Sequence, residues 1–406
     1  MEHTVGIFRC QDYDVTSILE VFHRAIILLD LDTKSWRGKT VLLKPNMLGA
    51  YPPSMGITTP PAFVEAAIIL FKELGCSVWV GDSPNGIFPI DCVWERTGIR
   101  DICKRHGVVE KVFEREGSVI RDGILIAKPV FEADYLVNLP KLKTHGLTLL
   151  TAATKNLYGC VPGLQKTKYH RDYVKHIEFA KLLVDIAQLT KPALNLVDAI
   201  VAMEGTGPSA GRLLKMNTII AGTNHHAVDA VCARLIGVKS SDIDTLAIAE
   251  MMGLWKCSEK INVVGEPLDN CRPLSFELPV TFTKGMRDWW ISRFVIDRIW
   301  GNISIKPKIN SKKCTRCGLC VKACPVKAIL ATKDLKNILE SCDTKPKDLK
   351  GLQPPRVITQ NCVMCYCCHE ICPYQAIDLN ESWGVRIGRF LGEMRIKRAK
   401  SRVSDK

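Results

Sequence analysis

Two cysteine runs in the last third of the chain match each other position for position. Each run reads C-x2-C-x2-C-x3-C-P, and corresponding residues lie 48 positions apart, as Ala328 and Ala376 do beyond the prolines. This is an internal duplication, which constrains the fold of this region more strongly than a single motif would. The eight duplicated cysteines are Cys314, Cys317, Cys320 and Cys324 in the first run and Cys362, Cys365, Cys368 and Cys372 in the second.

The spacing within each run is the one that bacterial proteins use to bind two [4Fe–4S] clusters. The first three cysteines of a run hold one cluster, and the fourth, which precedes proline, reaches across to the other cluster. Zinc is the alternative for a single C-x2-C pair, but the duplicated order of eight cysteines favours clusters. The sequence therefore predicts two [4Fe–4S] clusters, one held by Cys314, Cys317, Cys320 and Cys372 and the other by Cys362, Cys365, Cys368 and Cys324.

Two further cysteines in this region have no place in the duplicated pattern. Cys367 lies inside the second run, where the first run has Leu319. Its use in place of Cys368 would break the spacing, so we interpret it as a small buried residue beside the cluster. Cys342 lies in the long segment between the runs and has no partner at ligand spacing.

The length and the cysteine content limit the class of protein. The chain has 406 residues, enough for two or three domains with separate cores. Its 18 cysteines would indicate a disulfide scaffold in a short secreted chain, but the first residues lack the basic and apolar regions of a signal peptide. Apolar runs such as Ala66–Phe71 are far shorter than the ~18 residues of a membrane span. We expect a soluble protein of the reducing cytoplasm, with cysteines kept as thiolates that bind metal.

The formal net charge of +14 is unevenly distributed. Residues 1–280 contain 31 Lys/Arg and 31 Asp/Glu, so all the excess positive charge lies in the last third of the chain. This distribution argues against a nucleic-acid-binding surface spread over the protein. It fits basic flanks around an anionic cofactor, or a docking surface for an acidic redox partner.

Short apolar runs alternate with helical patterns from Val5 to about Glu266, which predicts an α/β domain with a mainly parallel sheet flanked by helices. The strands are predicted at Val5–Phe8, Thr40–Leu43, Val78–Val80, Tyr135–Val137, Ala193–Val197, Thr218–Ala221 and Ile261–Val264, and the helices at Val15–Leu29, Pro61–Leu74, Leu147–Leu157, Ile177–Leu189, His225–Ile236 and Ser241–Met252. The predicted organisation is this α/β domain at 1–266, a linker at 267–305, a small ferredoxin-like α+β two-cluster module at 306–380 and a basic tail at 381–406.

Four of the predicted strands are followed at once by polar residues. In open parallel sheets ligands bind at the carboxyl ends of the strands, so these residues are a candidate active-site rim. Polar residues after a strand are also what ordinary turns require, and neither a Rossmann fingerprint nor a P-loop is present. If the rim binds a ligand, Lys44, Lys141, Lys143 and Lys155 favour an anion, and Asp82 and Asp198 could transfer protons or hold a metal. The rim residues are Lys44 and Asn46, Asp82 and Ser83, Asn138, Lys141, Lys143, Thr144 and His145, and Asp198 and Glu204.

Five segments occur in fixed order across about residues 41–238: KPNMLGAYPPSMGITTPP, GDSP, NLPKLKTHGLTLLTAATKNLYGCVPG, LVDAIVAMEGTGPSAG and AGTNHHAVDA. Together they resemble the iron–sulfur-associated family called domain of unknown function 362, in which a ferredoxin module is a usual companion. The resemblance implies little about activity, since the family is named for lacking a general one. The signature positions that it implies are Lys44, Asn46, Asp82, Lys141, His145, Lys155, Asn156 and Glu204.

The linker contains apolar residues at helical spacing between Lys284 and Asn302, with arginines interleaved. A basic amphipathic helix of this kind can lie on a membrane surface. We favour a helix packed between the two domains with its tryptophans buried, which leaves peripheral membrane contact as the alternative.

Three functions fit these observations. The leading hypothesis is a ferredoxin-linked oxidoreductase that acts on a small anionic substrate, with catalytic residues at Lys44, Asp82, Lys141, His145 and Glu204. The second is an electron carrier or reductive activator whose α/β domain docks a redox partner protein. The third is a non-redox enzyme with structural clusters. A large pocket with convergent lysines would favour the first, and a filled rim with an exposed apolar patch would favour the second.

Overall fold

A computed structural model describes residues 3–256, 258–279, 305–331 and 353–381 of the chain. It divides the protein into two compact units, Met1–Glu277 and Leu278–Lys406. The predicted linker helix, the basic tail and Cys342 lie outside the described residues. No helix in the described part of the chain is long and apolar enough to cross a membrane.

The first unit alternates strands with helices, as the sequence predicts. Its strands are β1 (His3–Arg9), β2 (Thr40–Pro45), β3 (Ser77–Asp82), β4 (Val109–Val112), β5 (Ser118–Arg121), β6 (Ile124–Ala127), β7 (Tyr135–Leu139), β8 (Lys141–His145), β9 (Leu149–Thr151), β10 (Leu194–Glu204), β11 (Arg212–Gly222) and β12 (Ile261–Gly265). Its helices are α1 (Val15–Leu28), α2 (Pro61–Glu73), α3 (Ile90–Arg96), α4 (Ile99–His106), α5 (Pro129–Glu132), α6 (Ala153–Asn156), α7 (Gln165–Asp172), α8 (His176–Thr190), α9 (His225–Leu235), α10 (Asp244–Met251) and α11 (Leu268–Cys271).

One ten-stranded sheet forms the centre of this unit. Eight of its strands follow the order β12-β1-β11-β10-β7-β2-β3-β4, and β8 and β9 extend from β10. The pairs β10–β7, β7–β2, β2–β3 and β3–β4 are parallel, whereas β11 runs antiparallel to both of its neighbours. The predicted α/β fold with a mainly parallel sheet is therefore confirmed. Because β10, β7, β2 and β3 are consecutive and parallel, the polar residues at the ends of β2, β3 and β7 lie at one edge of the sheet. The strand predicted to end at Val197 instead continues as β10 to Glu204, so Asp198 lies inside this strand.

Local sequence signals set several helix ends. The Asp14 side chain caps α1 by accepting a hydrogen bond from the Ser17 backbone at 2.8 Å, and Asn224 caps α9 in the same way. Gly75 follows the end of α2 with a φ of 77°, a conformation that glycine adopts at little cost.

The helix predicted at Leu147–Leu157 is wrong. Its first half is strand β9, which pairs with β8 in the register Lys143↔Thr151, and only the short α6 follows. The apolar run that resembles one face of a helix is buried on both sides as a strand, an ambiguity that periodicity alone does not resolve in short segments.

The backbone conformation of the second unit repeats at positions that correspond in the two cysteine runs. Its described elements are β13 (Ile305–Ile309), α12 (Leu319–Ala323), β14 (Ile329–Leu330), β15 (Arg356–Val357), α13 (Cys367–Glu370) and β16 (Ile377–Glu381). Strand β13 pairs with β16 and β14 pairs with β15, both antiparallel. Positive φ angles recur at the duplicated positions, in the pairs Arg316 and Met364, Gly318 and Tyr366, and Lys327 and Gln375.

Candidate functional site

Four cysteines line each of two cavities in the second unit. The first cysteine cavity is lined by Cys314, Cys317, Cys320 and Cys372. The second cysteine cavity is lined by Cys324, Cys362, Cys365 and Cys368. Each cavity thus takes three cysteines from one run and the fourth cysteine from the other run.

Backbone amides point at several of these sulfurs. The Ala328 amide donates to Cys324 Sγ at 3.1 Å, and the duplicated Ala376 amide donates to Cys372 Sγ at 3.4 Å. The Arg316 amide donates to Cys314 Sγ at 3.4 Å. Hydrogen bonds of this kind stabilise negative charge on sulfur, so the backbone is arranged for thiolates rather than thiols.

The cavities fit an iron–sulfur cluster. Burial raises the pKa values of the Cys317 and Cys362 thiols, and neighbouring cysteines raise them further. Four thiolates around one buried space therefore need a compensating positive charge, which the iron ions of a cluster supply. Soft sulfur donors at these positions are the ligand set of a [4Fe–4S] cluster.

In the first unit, the predicted rim residues form a buried polar network. Lys44 at the end of β2 and Asp82 at the end of β3 are an ion pair, with 2.7 Å between Nζ and Oδ1 and side chains 1% and 3% exposed. The Met47 amide donates to the other oxygen of Asp82 at 2.7 Å. A Cβ atom at Gly159 would clash with both charged groups, so the absence of a side chain there lets the pair form.

A second ion pair joins β8 to β10. Lys141 Nζ lies 2.6 Å from Asp198 Oδ2, and neither side chain is exposed. Tyr13, which follows β1, accepts a hydrogen bond from Lys141 Nζ at 2.6 Å and donates to Asp198 at 3.0 Å. Burial lowers the pKa of Lys141, an effect that Asp198 opposes, while burial and Asp198 raise the pKa of Tyr13.

Lys143 begins a chain of hydrogen-bonded amide side chains. Its Nζ donates to Asn46 Oδ1 at 2.7 Å, and Asn46 donates to Asn156 at 3.0 Å. Asn156 donates to Asn138 at 2.8 Å, and Asn138 donates to Asn195 at 2.9 Å. The buried amides thereby satisfy one another across β2, β7 and β10.

His145 and Glu204 are buried but make different contacts. His145 Nδ1 accepts hydrogen bonds from the Leu147 and Thr148 amides at 3.1 and 3.2 Å, which places its proton on Nε2. Glu204 accepts from the Glu277 amide at 2.7 Å and pairs with Arg212. Lys155 lies over the ring of Tyr158 at 5.0 Å. None of these named contacts involves the two lysine–aspartate pairs.

Sequence reasoning missed several members of the network. Tyr13 and Asn195 are among them, although Tyr13 follows a strand end and could have been found by the rule applied to the other four strands. Lys166 donates to the Val161 carbonyl at 2.7 Å and to Ser83, and burial lowers its pKa to about 8. Asp229 accepts the Ala153 amide at 2.7 Å at the start of α6, and burial raises its pKa to about 6.

Comparison with known families assigns both units. Residues 41–234 match the family described as domain of unknown function (DUF362), and residues 307–330 match the 4Fe-4S binding domain. The chain carries a DUF362 domain and a 4Fe-4S domain. It is an iron–sulfur protein, and the matched 4Fe-4S segment contains the first cysteine run. The DUF362 domain contains both ion pairs and the chain of amide side chains, whereas Tyr13 precedes it.

Similar proteins extend the comparison. The thylakoid-associated protein sll1697 of Synechocystis is 29% identical over 313 residues, which cover 73% of this chain and 97% of that protein. A Thermotoga maritima protein of solved structure is 12% identical to this chain, with a TM-score of 0.32. The match covers 48% of this chain and 52% of the Thermotoga chain. The lactate racemase apoprotein from Thermoanaerobacterium thermosaccharolyticum is also 12% identical, with a TM-score of 0.31. That match covers 59% of this chain and 58% of the racemase chain. This chain spans little more than half the length of those two structures.

Proposed function

We propose that this chain is an electron-transfer protein whose second unit binds two [4Fe–4S] clusters. The observation that carries the proposal is the pair of four-cysteine cavities with crossed ligand sets. A single cluster, or a zinc site, would leave four of the eight cysteines without a reason for their position. Clusters of this type accept and donate one electron each, and the cysteines and the amides that point at them hold the clusters in place.

We further propose that the DUF362 domain recognises a protein partner. Three of the four rim lysines that would bind a small anion already have an acceptor: Asp82 for Lys44, Asp198 for Lys141 and Asn46 for Lys143. An incoming anion would have to displace an aspartate from a buried ion pair, which costs several kcal/mol. This favours the carrier or reductive activator over an enzyme that acts on a small anion in this conformation.

The charge around the clusters indicates an acidic redox partner. Lys306 and Lys308 are exposed on β13, and Lys312 and Lys313 are exposed just before Cys314. Positive side chains next to a cluster attract an acidic surface and increase the rate of encounter. We expect electron transfer to this partner to slow as salt concentration rises, and to slow further in Lys312→Glu.

The enzyme hypothesis keeps one supporting observation. The buried pair between Lys44 and Asp82 lies at the carboxyl ends of the adjacent strands β2 and β3, the position where open α/β sheets bind ligands. Buried ion pairs add little net stability compared with apolar residues, so their presence is consistent with a catalytic role. In that alternative, Lys44 and Asp82 act on an anionic substrate that separates them.

The cellular location of the protein cannot be derived from its central sheet or from the cysteine cavities. We propose a cytoplasmic protein, with peripheral membrane contact as the alternative because a relative is described as thylakoid-associated. Fractionation of host cells, followed by a high-salt wash of the membranes, distinguishes the two.

The test is anaerobic and begins with composition. Two clusters require about eight iron and eight sulfide per chain, whereas about four would refute the two-cluster proposal. The reduced protein is then mixed with a panel of small anions and with candidate partner proteins, and cluster reoxidation is followed by visible absorbance and EPR. Reoxidation by a protein, unchanged in Lys44→Ala and Asp82→Asn, supports the carrier. Reoxidation by a small anion that requires both residues supports the enzyme instead.

A further inference from the structure

The two cysteine runs carry different side chains at one position beside a cluster ligand. Arg316 lies two residues after Cys314, and Met364 lies two residues after Cys362, at the corresponding position of the second run. Both residues have positive φ angles, 63° and 54°, so the backbone turns in the same way at the two positions. The duplication therefore places a guanidinium beside the first cysteine cavity and a thioether beside the second.

Arg316 contacts a cysteine of the first cavity through two groups. Its backbone amide donates to Cys314 Sγ at 3.4 Å, and its guanidinium Nη1 donates to the Cys314 carbonyl oxygen at 2.9 Å. The side chain is half-buried, and the guanidinium hydrogen bond holds its positive charge at the backbone of a cluster ligand. Methionine has no donor in its side chain, so Met364 provides neither the charge nor this hydrogen bond to Cys362.

One further difference between the runs involves no charge. Cys367 corresponds to Leu319, and its side chain is half-buried rather than buried as the sequence predicts. Its Sγ lies 4.0 Å from the Cys365 carbonyl oxygen. A thiol beside a backbone carbonyl adds no net charge to the second cavity.

Arg316 differs from the other basic residues of this unit in its burial. In the described part of the second unit, every lysine and Arg356 are exposed, and Arg316 is half-buried. Water and salt screen exposed charges within about 8 Å, whereas they screen a partly buried charge much less. One half-buried acid lies near each cavity: Asp378 follows Ile377 of the first lining, and Glu370 lies two residues after Cys368 of the second. The acids therefore do not distinguish the cavities as Arg316 does.

We propose that Arg316 raises the reduction potential of the [4Fe–4S] cluster in the first cysteine cavity, an effect that the cluster in the second cavity lacks. Reduction adds one negative charge to a cluster, and a positive charge nearby stabilises the reduced form. Arginine stays charged throughout the pH range in which proteins are folded, so the effect is permanent. Arg316 thereby shifts the one-electron exchange between the two clusters toward reduction of the first, and this exchange needs no further reactant.

The role of Arg316 rests on the proposed pair of clusters, and Arg316 acts at the backbone of Cys314 as a positioning residue. A purely packing role for Arg316 predicts that Arg316→Met, which copies the second run, leaves both potentials unchanged. The two roles therefore differ in an equilibrium measurement that does not depend on any activity.

The experiment is an anaerobic redox titration of the full-length protein, with both clusters followed by EPR and visible absorbance. Arg316→Met removes the charge, Arg316→Lys keeps it, and Met364→Arg introduces it beside the second cavity. Lys313→Met is the matched control, because it removes an exposed charge next to the same ligand, Cys314. A unit charge about 10 Å from a cluster near the protein surface changes the equilibrium constant for reduction about tenfold, which is a shift of about 59 mV for a one-electron couple.

We expect Arg316→Met to lower one potential by about this amount and to leave the other unchanged. Arg316→Lys and Lys313→Met should each lower the same potential by clearly less, and Met364→Arg should raise the other potential.

Unchanged potentials in Arg316→Met, at about eight iron per chain, would overturn the role of Arg316 and leave the two-cluster proposal standing. An equal shift in Lys313→Met would also overturn it, because any nearby charge would then act in the same way. If Arg316→Met fails to bind its clusters, Met364→Arg decides, since an unchanged second potential in that variant contradicts the proposed effect of the charge. About four iron per chain in the unsubstituted protein would refute both proposals.

Discussion

The buried pair between Lys141 and Asp198 allows a sharp prediction about stability. The Asp198 carboxylate has three partners, since it accepts from Lys141 at 2.6 Å, from Tyr13 at 3.0 Å and from the Ile200 amide at 3.0 Å. Neither side chain of the ion pair is exposed. Asp198→Asn removes the charge that offsets the Lys141 ammonium, and breaking a buried pair in this way costs about 3–5 kcal/mol.

The pair can be dissected with single and double variants. Lys141→Met should lower the unfolding free energy by a similar amount, because it leaves the Asp198 charge unpaired. The double variant, Lys141→Met with Asp198→Asn, should lose clearly less unfolding free energy than the sum of the two single variants. Since burial already lowers the pKa of Lys141, the loss in Asp198→Asn should shrink as pH rises and the lysine becomes neutral.

The assay is urea unfolding of the full chain, followed by tryptophan fluorescence and far-UV circular dichroism. The surface pair between Lys181 and Asp185 on α8, with 2.7 Å between Nζ and Oδ2, is the matched control, and Lys181→Met should lower the unfolding free energy by less than about 0.5 kcal/mol. The reasoning would be refuted if both single variants at the buried pair lowered the unfolding free energy by less than about 1 kcal/mol. It would also be refuted if the loss in the double variant equalled the sum of the two single losses.

Three further predictions concern other parts of the molecule. Gly159→Ala should lower the unfolding free energy by about 1–3 kcal/mol, because its Cβ would clash with the Lys44–Asp82 pair; a thermal melt that matches the unsubstituted protein would contradict this. His225 and His226 are buried, and burial lowers their pKa values to about 3 and about 4, so only the unfolded chain takes up protons near pH 6. Stability should therefore be about 1–2 kcal/mol lower at about pH 6.0 than at pH 7.5, and replacing both histidines with Asn should remove most of that difference; Asp229, with its pKa raised to about 6, contributes with the opposite sign mainly below this window. Cys324→Ser, although in the first run, should abolish the EPR signal of the cluster in the second cavity and about halve the iron content; loss of the other signal instead would show that the ligand sets are not crossed.

The cysteine cavities illustrate what sequence can predict. Ligand spacing is a local property, and the duplication relates Cys324 to Cys372, so the crossed grouping can be derived before any coordinates are known. The same holds for the sheet, since each run of apolar residues is short and bounded by turns. The polar residues at the ends of β2, β3 and β7 could likewise be read from the sequence.

The sequence did not show whether those polar residues are buried or which partners they bind. Lys44 and Asp82 are 38 positions apart, and Lys141 and Asp198 are 57 apart, so each pairing depends on the order of strands in the sheet. The sequence predicts a rim of lysines that could bind an anion, whereas the structure places Lys44, Lys141 and Lys143 each against an acceptor. A pattern of residue types predicts location, but burial and pairing are properties of the complete fold.

The amide chain that starts at Lys143 has a direction. Each asparagine donates through its nitrogen and accepts through its oxygen in the same sense, and Asn195 finally donates to the Gly222 carbonyl of β11 at 3.1 Å. Rotating one amide by half a turn would set donor against donor on one side and oxygen against oxygen on the other. Because the Lys143 ammonium can only donate and the Gly222 carbonyl can only accept, the row has one possible direction, and the side-chain dipoles add along it. Side-chain hydrogen bonds thus link β2, β7, β10 and β11 in one direction, in addition to the backbone hydrogen bonds of the sheet.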